Sequence, residues 1–195
     1  MGKLVISEFV SLDGVFEDPG GAGDYEHGGW SFEYDRGKEG GQFKLDEVME
    51  AEAHLLGRIT YDEFAAAWPS RAGEYADKLN GDPKYVVSHT LSDPTWNNTT
   101  VLGGDAVESV TRLRKQLDGT LLVVGSGTLA RTLLAAELVD ELRLMVFPTL
   151  LGRGRRLFAD DSKRVKLRLA SSTTIGTDGV QLQTYQRSSR STKLA

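Results

Sequence analysis

Short apolar runs alternate with segments of helical periodicity along most of the chain. The apolar runs are bounded by turn residues and predict strands over residues 3–10, 53–56, 84–88, 99–102, 120–124 and 141–149. Between them, apolar side chains recur at helical spacing, as at Leu45, Val48 and Met49. This periodicity predicts helices over residues 43–53, 60–67, 105–117 and 128–135. The alternation predicts an α/β fold around a mostly parallel sheet.

The C-terminal part of the pattern differs, because two strand patterns follow each other with no helix between them. Residues 165–174 and 180–187 flank residues 177–179, whose sequence Thr-Asp-Gly is typical of a tight turn. We therefore expect an antiparallel hairpin at the edge of the sheet, within a single domain over residues 1–187. Residues 188–195 are polar without periodicity and are interpreted as a disordered tail or a vector scar.

Composition limits the classes of function that the chain can have. The 195 residues carry a net charge of −5, with no cysteine and no basic stripe. A nucleic-acid partner is not expected, since the neutralisation of phosphates supplies most of that affinity. No signal peptide opens the chain, and no apolar run approaches the ~20 residues that cross a bilayer, so we expect a cytoplasmic protein away from membranes. The three histidines are not clustered, and no metal site is expected.

Two turns in the predicted fold each join a buried strand to a helix. One is the sequence Gly-Arg-Ile-Thr at residues 57–60, and the other is Gly-Ser-Gly-Thr at residues 125–128. A helix start exposes unpaired backbone N–H groups and the positive end of the helix dipole, so it binds anions. Arg58 adds a fixed positive charge. Two such turns indicate a dinucleotide cofactor, with a solvated Arg58 and a packing role for Gly127 as the alternatives.

Five motifs, in their order along the chain, resemble the dihydrofolate reductase superfamily. They are SLDG at residues 11–14, LGRITY at 56–61, VVSHTL at 86–91, VVGSGTL at 123–129 and PTLLGRG at 148–154. The branch that the chain most resembles is the reductase domain of the bifunctional riboflavin-biosynthesis deaminase-reductase. The resemblance implies a three-layer dihydrofolate reductase-like fold, NADPH as the hydride donor and a homodimer. The apolar residues 142–147 either help to form the dimer interface or are a buried core strand.

The resemblance also implies which residues contact the cofactor. The positions that match the family motifs are Gly57, Arg58, Thr60, Ser88, His89, Gly125, Ser126, Gly127, Thr128 and Leu129. Arg58 and Ser88 are expected at the 2′-phosphate of NADPH, whereas an NAD site would favour a carboxylate that binds the ribose.

The motifs identify fewer candidate residues for binding the substrate than for binding the cofactor. Asp13 follows the first strand and is the candidate catalytic acid, because reduction of a C=N or C=O group needs a proton. The alternatives for Asp13 are a hydrogen bond to a substrate hydroxyl and a purely structural role in the turn. Residues 17–41 contain eight of the 22 glycines and several aromatic residues, and are interpreted as a lid. Trp30 in this lid is a candidate substrate contact. Arg153, with Arg155 and Arg156 beside it, is a candidate for binding a substrate phosphate, and plain surface charge is the alternative.

These observations favour an NADPH-dependent reductase of a small heterocyclic substrate, most like 5-amino-6-(5-phosphoribosylamino)uracil, the substrate that the resemblance implies. Dihydrofolate reductases carry a pterin-binding carboxylate on the helix before the Gly-Arg-x-Thr turn. Asp46, Glu47 and Glu50 do not fall at the familiar spacing from Arg58. A dihydrofolate or pterin reductase is therefore the alternative enzyme, and a nucleotide-binding protein without turnover is the alternative that is not an enzyme.

Overall fold

The strand β1 (Lys3–Ser11) lies inside the sheet, and its side chains are mostly buried on both faces. The protein is described by a computed structural model over residues 1–158 and 164–187. Six strands pair in parallel, and they are β1, β2 (Ala51–Gly57), β3 (Lys84–Val87), β4 (Thr99–Leu102), β5 (Thr120–Val124) and β6 (Glu141–Phe147). Their order across the sheet is β4-β3-β2-β5-β1-β6. The carboxyl ends of β2, β5 and β1 therefore meet at one edge.

The last two strands form an antiparallel edge. The strand β7 (Leu167–Ile175) pairs with β8 (Val180–Arg187), which in turn pairs antiparallel with β6. Gly176 and Gly179 in the connecting turn have φ of 62° and 78°, which glycine adopts without steric cost. The predicted α/β class, with a mostly parallel sheet and an antiparallel C-terminal edge, is confirmed. The tail predicted over residues 188–195 lies outside the described residues.

Helices cover both faces of the sheet and complete three layers. They are α1 (Gly37–Glu50), α2 (Arg58–Ala67), α3 (Glu74–Gly81), α4 (Ala106–Arg114) and α5 (Gly127–Ala135), with a short 3-10 helix over Trp30–Glu33. On one face, α4 and α5 bury Val110 and Leu133 in a cluster with Ile6 of β1. On the other face, α1 and α3 bury Val48 and Leu79. The three-layer arrangement is the one that the resemblance implies.

Two helices differ from the prediction. Residues 37–41 form the first turns of α1, although their three glycines favour a loop. The helix is retained because its packing face, with Val48 only 1% exposed, is buried against the sheet. The helix α3 is absent from the prediction, because in eight residues it buries only Ala76 and Leu79 and so leaves a weak periodic signal.

The strand β6 is a core strand rather than an interface strand. Leu142, Met145 and Phe147 are each at most 2% exposed, and β6 lies between β1 and β8 in the sheet. Of the two alternatives for residues 142–147, the structure therefore supports the buried strand.

A buried lysine fixes the end of α3 against the sheet. Lys84, the first residue of β3, is fully buried, and its ammonium group donates to the carbonyls of Leu79, Asn80 and Asp82 at 2.7–2.9 Å. The ammonium also lies 4.6 Å from the centroid of the Trp96 ring. Burial lowers the pKa of Lys84 to about 8, although the nearby Asp82 raises it. These bonds satisfy carbonyls at a helix end that would otherwise be unpaired.

Replacing Lys84 with methionine tests this anchor. Lys84→Met keeps the apolar stem and removes the donor, so three carbonyls lose a partner, and we expect the free energy of unfolding to fall by about 2–4 kcal/mol. Lys3→Met is the control, because Lys3 is 41% exposed in its ion pair with Glu141, and its loss costs less than about 1 kcal/mol. Urea unfolding of the two variants measures the difference, and equal effects would contradict the anchor.

Candidate functional site

A cleft of about 840 Å³ opens at the edge where β1, β2 and β5 end. Its lining includes both predicted phosphate-binding turns, the end of β1 and an aromatic wall. In open α/β sheets, ligands bind outside the carboxyl ends of the strands, so this cleft is the candidate active site. Of the predicted cofactor residues, those that line it are Gly57, Arg58, Thr60, Gly125, Ser126, Gly127, Thr128 and Leu129.

The two predicted turns are hydrogen-bonded to each other. The backbone N–H of Gly57 donates to Ser126 Oγ at 2.8 Å, and the backbone N–H of Ser126 donates to Thr60 Oγ1 at 2.9 Å. Gly125 and Ser126 both adopt the left-handed conformation, with φ of 61° and 62°. Ser126 and Thr60 therefore hold the starts of α2 and α5 side by side, and the N-terminal N–H groups of both helices face one region.

Arg58 lies at the start of α2 and extends toward the loop after β3. Its Nε donates to both carboxylate oxygens of Asp62 at 2.9 and 2.7 Å, and Nη1 lies 3.4 Å from Thr90 Oγ1. Ser88 Oγ accepts from the backbone N–H groups of Thr90 and Leu91 and so shapes this loop. Ser88 and the exposed His89 lie outside the cleft lining formed by the described residues. Thr90 instead brings the loop to Arg58.

A phenylalanine covers the start of α5. A Cβ added to Gly127 would lie only 1.9 Å from Cζ of Phe16, so no side chain fits at this position while the ring stays there. The Arg155 guanidinium lies 5.8 Å from the centroid of the Phe16 ring and is paired with Glu17 at 2.8 Å. Gly127 therefore has the packing role that was the alternative for it, at a position that also lines the cleft.

The other side of the cleft combines aromatic rings with cations. Phe9 lies beneath the guanidinium of Arg36, which is 5.2 Å from the ring centroid, and beneath the ammonium of Lys44 at 5.5 Å. Arg71 lies 4.5 Å from the Trp68 ring, which stacks on Tyr75. These positions give a pocket with flat apolar walls and positive charge above two of the rings.

Asp13 lies in a different place from the one expected for a proton donor. It accepts hydrogen bonds from Ser11 Oγ at 2.6 Å and from the backbone N–H groups of Leu151 and Gly152 at 3.2 and 2.8 Å. Burial raises the pKa of Asp13, but these hydrogen bonds outweigh it and leave the pKa below its ordinary value. Within the described residues, Asp13 lies outside the cleft lining. The Asp13 carboxylate therefore ties the loops after β1 and β6 together, and its catalytic role stays a prediction.

Trp30 is also placed differently from the prediction. Its side chain is 1% exposed and packs edge-on against Phe147, with ring centroids 5.2 Å apart. Its Nε1 donates to the carbonyl of Glu17 at 2.8 Å. Trp30 therefore anchors the predicted lid to the core, and its contact with a substrate stays a prediction. A large aromatic residue in a glycine-rich segment is compatible with both roles, and the sequence does not separate them.

Arg153 is exposed and lies outside the cleft lining of residues 1–158 and 164–187. Its backbone carbonyl accepts a hydrogen bond from the Tyr25 hydroxyl at 2.8 Å. Arg155, two residues later, does line the cleft. Of the three candidate arginines in this loop, Arg155 is therefore the one that lines the cleft, and a contact of any of them with a substrate phosphate stays a prediction.

Glu8 is a cleft residue that the sequence analysis does not identify. It lies near the end of β1, is 4% exposed and lines the cleft. Burial raises the pKa of Glu8 well above its ordinary value; the charge of Lys44 and a hydrogen bond from the Gly125 backbone amide lower it in part, and Glu47 raises it. The signal available in the sequence is a carboxylate within an apolar run that predicts a strand buried on both faces.

Among the described residues, no three His, Asp or Glu side chains lie together in a way that could hold a metal ion. None of the helices in the same ranges is long and apolar enough to span a membrane.

Relatives and solved structures show what the chain is similar to. The Bacillus subtilis (strain 168) protein YyaP, itself uncharacterized, is 25% identical over 185 residues, which cover 92% of this chain and 93% of YyaP. A structure from Shewanella sp. PV-4, with a provisional riboflavin-biosynthesis designation, has a TM-score of 0.74 at 21% identity and covers 96% of this chain and 99% of its own.

Dihydrofolate reductase from Enterococcus faecalis, solved in complex with NADP(H) and RAB-propyl, has a TM-score of 0.64 at 15% identity, with 96% of this chain and 97% of that chain covered. At these identities the two structures show the dihydrofolate reductase-like fold alone. A family model described as the RibD C-terminal domain matches residues 2–181, nearly the whole chain. The suspected superfamily and branch are thereby confirmed, and the chain belongs to the RibD C-terminal domain family.

Proposed function

We propose that this protein is an NADPH-dependent reductase of a small heterocyclic compound, most like 5-amino-6-(5-phosphoribosylamino)uracil. The observation that carries the proposal is the cleft in which two interlocked helix starts face an aromatic pocket across the end of β1. Membership of the RibD C-terminal domain family supports an oxidoreductase. NADPH, when bound, supplies a hydride to the substrate.

The residues present fit a dinucleotide phosphate. The N-terminal N–H groups of α2 and α5 supply donors for a pyrophosphate, and the two helix dipoles favour its negative charge. Arg58 keeps its Nη groups available beside Thr90 because Asp62 is bound by Nε. We propose that Arg58 and Thr90 hold the 2′-phosphate, with Ser88 shaping the loop around it and His89 at its rim.

The residues on the other side of the cleft fit a flat, polar ring. Phe9, Phe64, Trp68 and Tyr75 line that side, and burial raises the pKa of Tyr75 to about 12, so its hydroxyl is neutral. Aromatic walls bury a heterocycle while leaving its edge accessible to polar groups. Arg36 and Lys44, above the Phe9 ring, supply positive charge for an anionic group of the substrate.

A pterin reductase is less well supported than this function. The helix α1 does carry a buried carboxylate, Glu47, which is 1% exposed. Glu47 Oε2 accepts from Ser7 Oγ at 2.9 Å and pairs with Lys44 at 2.5 Å, while Oε1 lies 3.7 Å from Arg143. This carboxylate is thus engaged by other side chains, and it lies outside the cleft lining of the described residues.

Turnover separates the proposed reductase from a nucleotide-binding protein that lacks catalysis. Loss of NADPH absorbance is measured with 5-amino-6-(5-phosphoribosylamino)uracil and, in parallel, with dihydrofolate. Oxidation of NADPH in the presence of the uracil compound supports the proposal. Oxidation of NADPH with dihydrofolate but not with the uracil compound supports the pterin alternative. Tight binding of NADPH without oxidation by either compound would contradict the reductase.

Substitution of Arg58 tests the cofactor assignment. Arg58→Ala removes a charge-assisted hydrogen bond worth about 1.5–3 kcal/mol, so we expect NADPH to bind roughly ten- to a hundredfold more weakly. NADH lacks the 2′-phosphate and should bind the variant almost as it binds the parent protein. Isothermal titration calorimetry measures both cofactors. Arg112→Ala is the control, because Arg112 is exposed and lies outside the cleft lining of the described residues. Equal affinities of the parent protein for NADPH and NADH would refute the assignment.

A homodimer is also proposed, from the resemblance to the riboflavin branch. We expect light scattering at micromolar concentration to give twice the 21.3 kDa mass of one chain. The interface must lie outside β6, because that strand is buried within the protomer. A mass equal to one chain across the concentration range would rule the dimer out.

A further inference from the structure

Glu8 is a buried carboxyl group that lacks the partners such a group normally has. In the part of the chain that the structure describes, its Oε1 is inaccessible to solvent and has no hydrogen-bond partner. Buried polar atoms are almost always paired, because an unpaired one costs about 1–3 kcal/mol. No hydrogen bond to Oε1 within the described residues offsets this cost, so we expect a bound ligand to supply a partner for this atom.

Another buried glutamate of the same sheet shows what a structural role looks like. Glu141, at the start of β6, is 5% exposed, and both of its oxygens are bound. Oε1 accepts from Arg143 at 2.7 Å, while Oε2 pairs with Lys3 at 3.1 Å and accepts from Gln186 at 3.3 Å. Burial raises the pKa of Glu141, but these partners outweigh it and leave a lowered pKa. Glu8 has no such set of partners, and its pKa is shifted in the opposite direction.

The charged groups around Glu8 do not compensate for its burial. Lys44 and Glu47, both on α1, act on it with opposite sign. Lys44 is itself paired with Glu47 at 2.5 Å and bonded to Ser7 Oγ at 2.8 Å. The negative charge of Glu47 therefore offsets much of the stabilisation that Lys44 gives to an ionised Glu8. From the side of β5, the group that faces Glu8 is the uncharged backbone amide of Gly125. Burial therefore shifts the balance at Glu8 toward the neutral carboxylic acid.

The position of Glu8 joins the two halves of the cleft. Its neighbours along β1, Ser7 and Phe9, line the aromatic and cationic side, while Glu8 approaches Gly125 in the turn that leads to α5. The junction between a nucleotide site and a substrate pocket is where a reduced nicotinamide and a substrate ring must meet. An acid at this junction lies at the place in the cleft where a proton donor would be needed.

We propose that Glu8 is the proton donor of this reductase. The proposal rests on the proposed function. A bound reduced nicotinamide would supply the hydride to the carbon of a substrate C=N or C=O group and would itself be oxidised. The electron pair of the double bond would then move to the heteroatom. That heteroatom forms an N–H or O–H bond with the proton that leaves the Glu8 carboxyl group. Glu8 becomes a carboxylate and regains a proton from water when the product leaves.

The protonation state of Glu8 can be measured without any substrate. Protein labelled with ¹³C in the glutamate side chains gives one carboxyl resonance per residue, and Glu8 is the resonance that disappears in Glu8→Gln. We expect this carboxyl to be protonated at neutral pH, in the chain alone and with saturating NADPH, whereas an unperturbed glutamate titrates at about 4.3. An ionised Glu8 at neutral pH in both states would overturn the proposal.

Kinetics with 5-amino-6-(5-phosphoribosylamino)uracil tests the donor role itself. Glu8→Gln is isosteric with the protonated acid but releases no proton, so we expect kcat to fall roughly a hundredfold or more. NADPH affinity and KM should stay within about twofold of the parent values, since only the transition state loses an interaction. The parent kcat should fall as pH rises through the raised pKa of Glu8, and the variant should lack this decline. Glu141→Gln is the matched control, because Glu141 is similarly buried but lies outside the cleft lining of the described residues, and this variant should keep the parent pH profile.

The outcomes separate the two levels of the proposal. A parent protein that oxidises NADPH with neither the uracil compound nor dihydrofolate contradicts the proposed function and the donor role with it. A parent protein that turns over, with a Glu8→Gln variant that keeps the parent kcat and pH profile, leaves the reductase standing and overturns Glu8 as its acid. Circular dichroism and NADPH titration show whether the Glu8→Gln variant is folded. If it is not, Glu8→Asp takes its place in the kinetic experiment. A shifted pH profile of kcat is then expected, and an unchanged profile would count against Glu8 as the donor.

Discussion

Two hydrogen bonds between the starts of α2 and α5 determine the geometry of the cleft. Ser126 accepts from the backbone of Gly57 through its side chain and donates from its own backbone to Thr60. The parallel pairing of β2 with β5 brings both helix starts to the same edge of the sheet. The positive ends of two helix dipoles oppose each other there, and the hydroxyl groups that join them are uncharged. An anion between them is attracted by both, so the site is electrostatically prepared before any ligand arrives.

The period of a β-strand explains how β1 serves two sides of this site. Successive side chains point to opposite faces, so Ser7 binds the polar groups of α1 while Glu8 approaches the turn after β5. A shift of one residue in the pairing of β1 would exchange the two faces and place the acid among the partners of Ser7. The register with β5, in which Ser7 lies opposite Val124, therefore fixes the chemistry as well as the packing.

The sequence predicts the architecture well because its signals are local. The strands β1, β4 and β5, the C-terminal hairpin and the two strand-turn-helix junctions all appear where the pattern places them. The site is predicted in part, since the motif residues 57–60 and 125–129 do line the cleft. The exceptions depend on contacts distant in sequence. Asp13 accepts hydrogen bonds from the backbone of residues 151 and 152, and Trp30 packs against Phe147. Neither set of partners can be identified from the local sequence pattern.

Glu8 is missed for a related reason. In a single sequence, a glutamate inside a strand is compatible with a solvent-facing position, and only the neighbouring strands on both sides show that it is enclosed. Burial and the absence of a partner for Oε1 within the described residues are properties of the assembled sheet. The unpaired Oε1 distinguishes this carboxylate from Glu141, which has the same residue type and a similar exposure.

The contact between Phe16 and Gly127 has an evolutionary consequence. Because the ring occupies the space that a Cβ would need, the two positions cannot change independently: a side chain at 127 becomes acceptable only after position 16 has become smaller. A glycine retained at position 127 across relatives would then be explained by a large side chain at position 16 as well as by phosphate binding. Relatives in which both positions have changed together are the informative ones, because there the demands of packing and of ligand binding are separated.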